Sequence, residues 1–435
     1  MTASIVVHPN TLAALRKANR AQIGSAMQQL LPMTTVNWLP ANSPYARDAS
    51  KRVDNDKNVA VPLRERFVRQ VAASTLVHAG DAWSYLGRAL DALLAGDLAG
   101  CAHLTYYAEL RGAMALLAGE GIFIGNKKHV VVTRTGTTLI PSTNGTHDAA
   151  WKCLSGWSRD SRATSLLGAV IRPAGRPLAD WTNSTTFGAG LPWTAQLFRL
   201  VGLDISAYFR DRDLRNHASY RPTRLRPQSA STAQIADLAD QVWRLLEPDG
   251  KGGFPSLDKA VLPQLLQTAH VPARSGNFSS WGTWIDSLVP SGLESSAYVA
   301  ALKVGPPTSL EDPLLRHLLE RGTGALNGVS ELRPILARTL MMLRVATGSA
   351  LELLSDAGGT PASVSHWLTQ LAVDHGLWAS GASPLPPADL WADIFDALND
   401  LQLAAPLSLS HLRIEFARSG AILGQAERVT VWSFA

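Results

Sequence analysis

One stretch, roughly residues 98–119, constrains the fold more than any other. Ala102, Leu104, Tyr106, Tyr107, Leu110, Met114 and Leu117 recur at helical spacing, and apolar residues fall on nearly every side. A helix that is apolar nearly all round has to be covered all round, so it belongs in a core. His103, Glu109 and Arg111 interrupt that surface. Each is expected either on the one exposed side or held by a partner. Asp97, just after Gly96, reads as the N-cap of this helix.

The covering elements are expected mostly from helices. Leu12, Leu15, Ile23, Met27, Leu30 and Leu31 are spaced for a helix over 12–31. Residues 32–62 carry Pro, Asn and a charged run and read as a long surface loop. Residues 63–76 and 81–95 read as two helices punctuated by Gly80-Asp81, with Asp81 as N-cap of the second. The texture then changes. Ile122–Ile124, His129–Thr133 and Thr138–Ile140, with a turn at Thr135-Gly136-Thr137, read as strands joined by a short hairpin. Gly119-x-Gly121-x-x-x-Gly125 is not the dinucleotide fingerprint, because the spacing differs and strands follow. His147-Asp148 reads as a helix start; His129 and His147 lack a third metal ligand, so no metal is expected.

Residues 172–192 read as loop and 193–209 as a helix. Beyond Ser229 the pattern predicts helices at 232–247, 257–270, 279–288, 292–303, 309–321, 331–354, 361–376, 387–403 and 408–420. Pro248-Asp249-Gly250-Lys251-Gly252-Gly253 and 381–387 read as connectors. Glu427–Phe434 alternates and predicts a terminal strand. The fold class is therefore mainly α, a helical bundle with a small β insertion near 122–140, followed by a second all-helical region. The expected units are 1–59, 60–228 and 229–435.

Two cysteines, Cys101 and Cys153, cannot build a disulfide framework. The start of the chain lacks a basic region followed by a long apolar run, and no segment is long and apolar enough to span a bilayer. A cytoplasmic protein without membrane contact is expected. Walker A, His-Glu-x-x-His, Gly-x-Ser-x-Gly and kinase signatures are absent from the sequence.

The chemistry concentrates elsewhere. Between Arg210 and Arg226 lie six arginines and two aspartates, a local excess of +4 beside a net charge of +5 for the chain. Two patterns overlap there: Arg212-Asp213-x3-His217 and Arg215-Asn216-x3-Tyr220. Arginine grips a phosphate bidentately and offsets transition-state charge. Histidine moves a proton near neutral pH. On a helix, positions five apart lie about 140° apart, so each pair can serve one site only at a helix start or across a dimer interface. The structural alternative is a solvated face: Asp211 and Asp213 paired with neighbouring arginines, Asn216 as a cap, and Arg221-Pro222 as a helix end.

The Arg215-Asn216-x3-Tyr220 segment, with the Tyr106–Arg111 helix and the strands near His129, resembles the HEPN superfamily and its YaaC-like bacterial members over about residues 60–225. The resemblance implies a helical domain whose signature helices pair across a homodimer. It also implies metal-independent cleavage of RNA through the 2′-hydroxyl, in toxin–antitoxin or anti-phage systems. Carried onto this chain it makes Arg215 the signature arginine and Asn216 the polar residue, with Tyr220 where histidine is expected. A phenol is a poor base near neutral pH. His217, or the alternative register through Arg212, then has to supply the proton carrier. Arg210, Arg221, Arg224 and Arg226 would contact RNA backbone; no cofactor is implied. The other expectation is an inactive HEPN-like scaffold or sensor that binds a partner protein encoded alongside.

Overall fold

The computed structural model describes residues 6–33, 38–55, 64–141, 145–182, 205–220, 230–273, 280–304, 312–320, 326–382, 384–405, 408 and 417–434. The protein is mainly α with one small antiparallel sheet. Helices α1 (Pro9–Leu15), α2 (Arg20–Leu30) and α3 (Ala49–Asn55) lead to two long ones, α4 (Arg64–Leu94) and α5 (Leu98–Gly119). Strands β1 (Ile122–Ile124), β2 (His129–Val132) and β3 (Thr137–Leu139) follow in the order β1-β2-β3. Next come α6 (Thr146–Trp157), α7 (Ser161–Val170), α8 (Leu178–Thr182) and α9 (Ile205–Tyr220). The remaining helices are α10 (Thr232–Leu246), α11 (Pro255–Ala273), α12 (Trp281–Asp286), α13 (Ala297–Lys303), α14 (Leu332–Asp356), α15 (Pro361–Asp374), α16 (Pro387–Ala404), α17 (Ala417–Leu423) and α18 (Glu427–Phe434).

The apolar helix is α5, and it sits where its composition requires. Helix α4 lies along it, α14 crosses it, and α9 and α6 pack on further sides. Asp97 caps it, accepting from Gly100 N at 2.8 Å. Its neighbour departs from expectation: 64–94 is one helix, not two. Asp81 is not a cap but a mid-helix side chain 3.7 Å from Arg111 of α5. Gly80 marks a close approach rather than a break, since a Cβ there would lie 3.2 Å from the Trp367 ring. A helix tolerates glycine at a cost of roughly 1 kcal/mol when packing needs the space.

The N-terminal segment divides where one helix is expected. Asn19 adopts an extended backbone, and its side chain accepts from Gln22 N at 3.0 Å to cap α2. The three expected strands form one antiparallel sheet, which pairs Phe123 with Val130 and Val131 with Thr138. The largest correction is at 427–434, which is helix α18 and not a strand. Every residue from Glu427 to Phe434 is buried. The alternation misleads because its polar members are buried along with the apolar ones. Glu427 lies 3.3 Å from His375, and Arg428 bonds Asp393 at 2.8 Å and the Leu390 carbonyl at 3.1 Å.

One hydrophobic core includes Leu86, Tyr106, Trp151, Trp243, Leu340 and Trp432, drawing on residues before and after 228. Among the described residues, no helix is long and apolar enough to cross a membrane. Of the expected helices over 193–209 and 408–420, residues 193–204 and 409–416 lie outside the described residues.

Candidate functional site

Helix α9 runs through the arginine-rich stretch, and Arg215 lies near its C-terminal end rather than at a helix start. The five-residue spacing then acts as helical geometry dictates. Arg215 is half-buried against α5, whereas Tyr220 is 78% exposed. Arg212 is half-buried and lies 4.0 Å from Asp213, whereas His217 is exposed. Neither pattern brings its last residue to its arginine. Arg210 is exposed and Asn216 is half-buried. Arg221, Arg224 and Arg226 lie outside the described residues.

The residues that do face α5 from α9 are four apart: Asp211, Arg215 and Ser219. That is the spacing of one helical face. The Arg215 guanidinium carbon sits 5.2 Å from the Tyr106 ring centre and 5.9 Å from that of Tyr107. Two aromatic faces thus hold a cation between them. Its Nε is buried and makes no hydrogen bond to the described residues.

Two imidazoles flank this arginine, and neither belongs to the arginine-rich stretch. His103, one turn before Tyr107 on α5, has Nδ1 2.5 Å from Ser219 Oγ. Its ring lies 5.0 Å from that of Tyr107. His147, in the first turn of α6, stacks on Tyr106 with ring centres 5.6 Å apart. Its Nδ1 is 3.0 Å from Tyr106 Oη, which also receives the Trp151 indole N–H at 3.2 Å. Trp151 can only donate. The Tyr106 hydroxyl hydrogen is therefore free to point at His147 Nδ1, and in that tautomer the imidazole proton lies on Nε2.

Charge and burial keep both rings neutral. Desolvation, then the Arg215 and Arg212 cations, pull His147 down to about 4. Desolvation and Arg215 likewise hold His103 below its ordinary value. Burial pushes the Tyr106 phenol up to about 12, so it stays protonated. Beyond Tyr107 the aromatic surface continues onto α4: Tyr85 stacks on Tyr107 at 5.5 Å, and the Arg88 guanidinium lies 6.0 Å from the Tyr85 ring.

Below the site, Asp211 makes a buried two-point pair with Arg338 of α14, at 2.8 and 2.5 Å. The third nitrogen of Arg338 donates to the Glu320 carbonyl at 2.8 Å. Glu109 is buried against the pair, and burial followed by the Asp211 carboxylate drives its carboxyl well above the usual range. Asp211 takes the guanidinium bonds, so Glu109 is the group that keeps a proton. The pair fixes α9 one turn before Arg215.

Sequence spacing draws attention to Arg215 but not to the groups packed around it. The signal for His103 and Tyr106 was available as polar atoms on an otherwise apolar helix. His147, Trp151 and Ser219 reach the site only through the fold. No family model, no curated protein and no solved structure matches this chain.

Proposed function

We propose that this protein binds single-stranded RNA and cleaves it without a metal ion, as a HEPN-like ribonuclease of a bacterial toxin or anti-phage system. The observation that carries the reading is Arg215, clamped by Tyr106 and Tyr107 between two neutral imidazoles. A cation on aromatic faces beside neutral imidazoles suits an anionic phosphodiester. Arg215 and the Nε2–H of His147 hold the non-bridging phosphate oxygens. His103 accepts the proton of the attacking 2′-hydroxyl. The 2′-oxygen bonds phosphorus, the bond to the 5′-oxygen breaks, and that oxygen takes a proton from water. The products are a 2′,3′-cyclic phosphate and a 5′-hydroxyl. Tyr107, Tyr85 and Arg88 offer flanking bases and phosphates an alternation of rings and cations, a pattern that suits single strands.

The test uses a labelled single-stranded RNA with chelator present. Wild type is expected to cleave it, while Arg215→Lys and His103→Gln lose about 10²-fold or more and remain folded by circular dichroism. His217→Ala and Tyr220→Phe, both on the exposed side, are expected to cleave like wild type. Loss in those two with retention in Arg215→Lys would remove the site from consideration. The acid limb of kcat/KM belongs to His103 in the free protein. Its lowered pKa places that limb below pH 6.5, since protonation is what removes the base.

A second reading has one observation in its favour: the position where the signature histidine is expected holds Tyr220, and it faces outward. Under it the chain is an inactive scaffold that engages a second copy or a partner protein encoded alongside. Folded wild type that binds RNA weakly, cleaves none, and forms a stable dimer dependent on Tyr220 would establish that reading instead.

A further inference from the structure

A second built site lies away from Arg215 and shares no residue with it. The end of α7, the start of α11 and one face of α14 line a cavity of about 460 Å³ that opens to solvent. That volume is in the range of small-molecule pockets. Its walls include Val170, Arg172, Gly253, Phe254, Arg344 and Gly348. We propose that it binds a small metabolite through an oxyanion, a phosphate or carboxylate group held by Arg344 and Arg172.

The central observation is the free edge of a buried guanidinium. Arg344 is only 5% exposed. Its Nε and Nη2 each bond Asp258 at 2.7 Å, and Nη2 also donates to the Val170 carbonyl. Nη1 makes no hydrogen bond to a described residue. It lies over Gly348: a Cβ there would come 2.7 Å from Nη1 and 2.8 Å from Val170 Cβ. Glycine at 348 therefore leaves this edge its place in the cavity wall. A guanidinium N–H at a cavity wall can give a charge-assisted hydrogen bond to an oxyanion that enters.

The other polar groups are arranged to the same end. Asp258, the buried acid, is already saturated by Arg344 and by the Arg172 backbone N–H at 2.8 Å. Asp249 turns to its own loop, accepting from Lys251 N at 2.8 Å, and Glu352 pairs with Arg20 at 3.4 Å. Arg172 spends its Nε on the Ala169 carbonyl at 3.1 Å, leaving its terminal nitrogens for a ligand. The N-terminus of the 19-residue helix α11 opens at Phe254-Pro255, and first-turn N–H groups favour anions. Gly252 and Gly253 precede it in left-handed conformations (φ +84° and +76°), and a Cβ on Gly253 would meet nothing within 4 Å. The Phe254 ring, stacked on Trp83 at 5.8 Å and set 4.9 Å from the Arg344 guanidinium carbon, fixes the wall.

The experiment is calorimetric titration of the full chain with inorganic phosphate, adenosine 5′-monophosphate and succinate, each at up to millimolar concentration. At least one is expected to bind wild type. Arg172→Gln and Ser355→Asp are both exposed changes, one removing a cation and one adding an anion at the rim. Each is expected to weaken binding about tenfold or more, with the melting temperature of the free protein unchanged. Tighter binding of the nucleotide than of phosphate assigns a phosphate ester; binding of succinate alone assigns a carboxylate. Failure of all three probes to bind wild type overturns the proposal. Equal binding by wild type and both variants overturns it as well. RNA cleavage by the same variants should be unaffected, which separates this site from the Arg215 site.

Discussion

Glu109 is the residue whose environment differs most from its sequence appearance. It reads as either an exposed or a partnered carboxylate on a core helix, and it is a fully buried acid beside an occupied ion pair. Its raised pKa means that folding favours the neutral form. That contribution is complete below the unfolded pKa and is lost as pH rises towards the folded value. Glu109→Gln cannot ionise, so the variant should become more stable than wild type as pH rises above 4.5. The gap should widen by at most about 1.4 kcal/mol per pH unit. Urea midpoints at about pH 5 and about pH 8 measure it, and a gap that stays constant or shrinks with pH would show that Glu109 ionises in place. At this scale the sequence is informative about Arg215, because a dense cluster of one residue type survives any fold. It is silent about Asp211–Arg338, whose members stand 127 positions apart.

At the level of elements, the contrast between Asp97 and Asp81 explains what the sequence could convey. Both follow a glycine, and only Asp97 caps a helix. At Asp97 the chain leaves α4 through Gly96, whose φ of +75° ends that helix, and starts α5 afresh. At Asp81 the local signal is the same, but Trp367 fills the space beside Gly80 and Arg111 takes the carboxylate. Tertiary packing therefore overrides a cap signal worth about 1 kcal/mol. The same logic hides α18, whose alternating polar residues are buried, with Glu427 and Arg428 paired to His375 and Asp393. The expected ranges match α5, α10, α14 and α16 to within two residues; in α10 and α16 one wet face imposes the 3.6-residue period, and in α5 the Asp97 cap and Gly119-Glu120-Gly121 mark the ends. Asp97→Ala should lower stability by about 1 kcal/mol, while Asp81→Ala, an exposed pair in water, should lower it by well under that. Chemical denaturation of the two variants compares them directly, and equal losses would mean that Asp81 does more than pair at the surface.

For the whole molecule, the question is whether the expected boundary near 228 separates two folding units. Several bonds cross it within the core. Trp83 donates to Thr347 Oγ1 at 3.0 Å, Thr339 Oγ1 donates to the Thr105 carbonyl at 3.5 Å, and Arg338 holds Asp211. Helix α14 is buried along most of its length, and α4 and α5 supply much of its cover. Removing it would expose one side of the most apolar helix in the chain and strand Asp211 without its cation. A buried charge deprived of its partner costs about 3–5 kcal/mol, a large share of the roughly 5–15 kcal/mol that stabilises a typical fold. Residues 1–228 made alone should therefore lack a cooperative thermal transition, and the intact chain should melt in one step when followed by both far-ultraviolet dichroism and tryptophan fluorescence. Two resolved transitions, or a cooperative melt of 1–228 by itself, would mean that α4 and α5 are stable without α14. If the single transition is found, the second half holds α9 in register through Arg338. A substitution there, such as Arg338→Met, should then reduce RNA cleavage without touching any group at the Arg215 site.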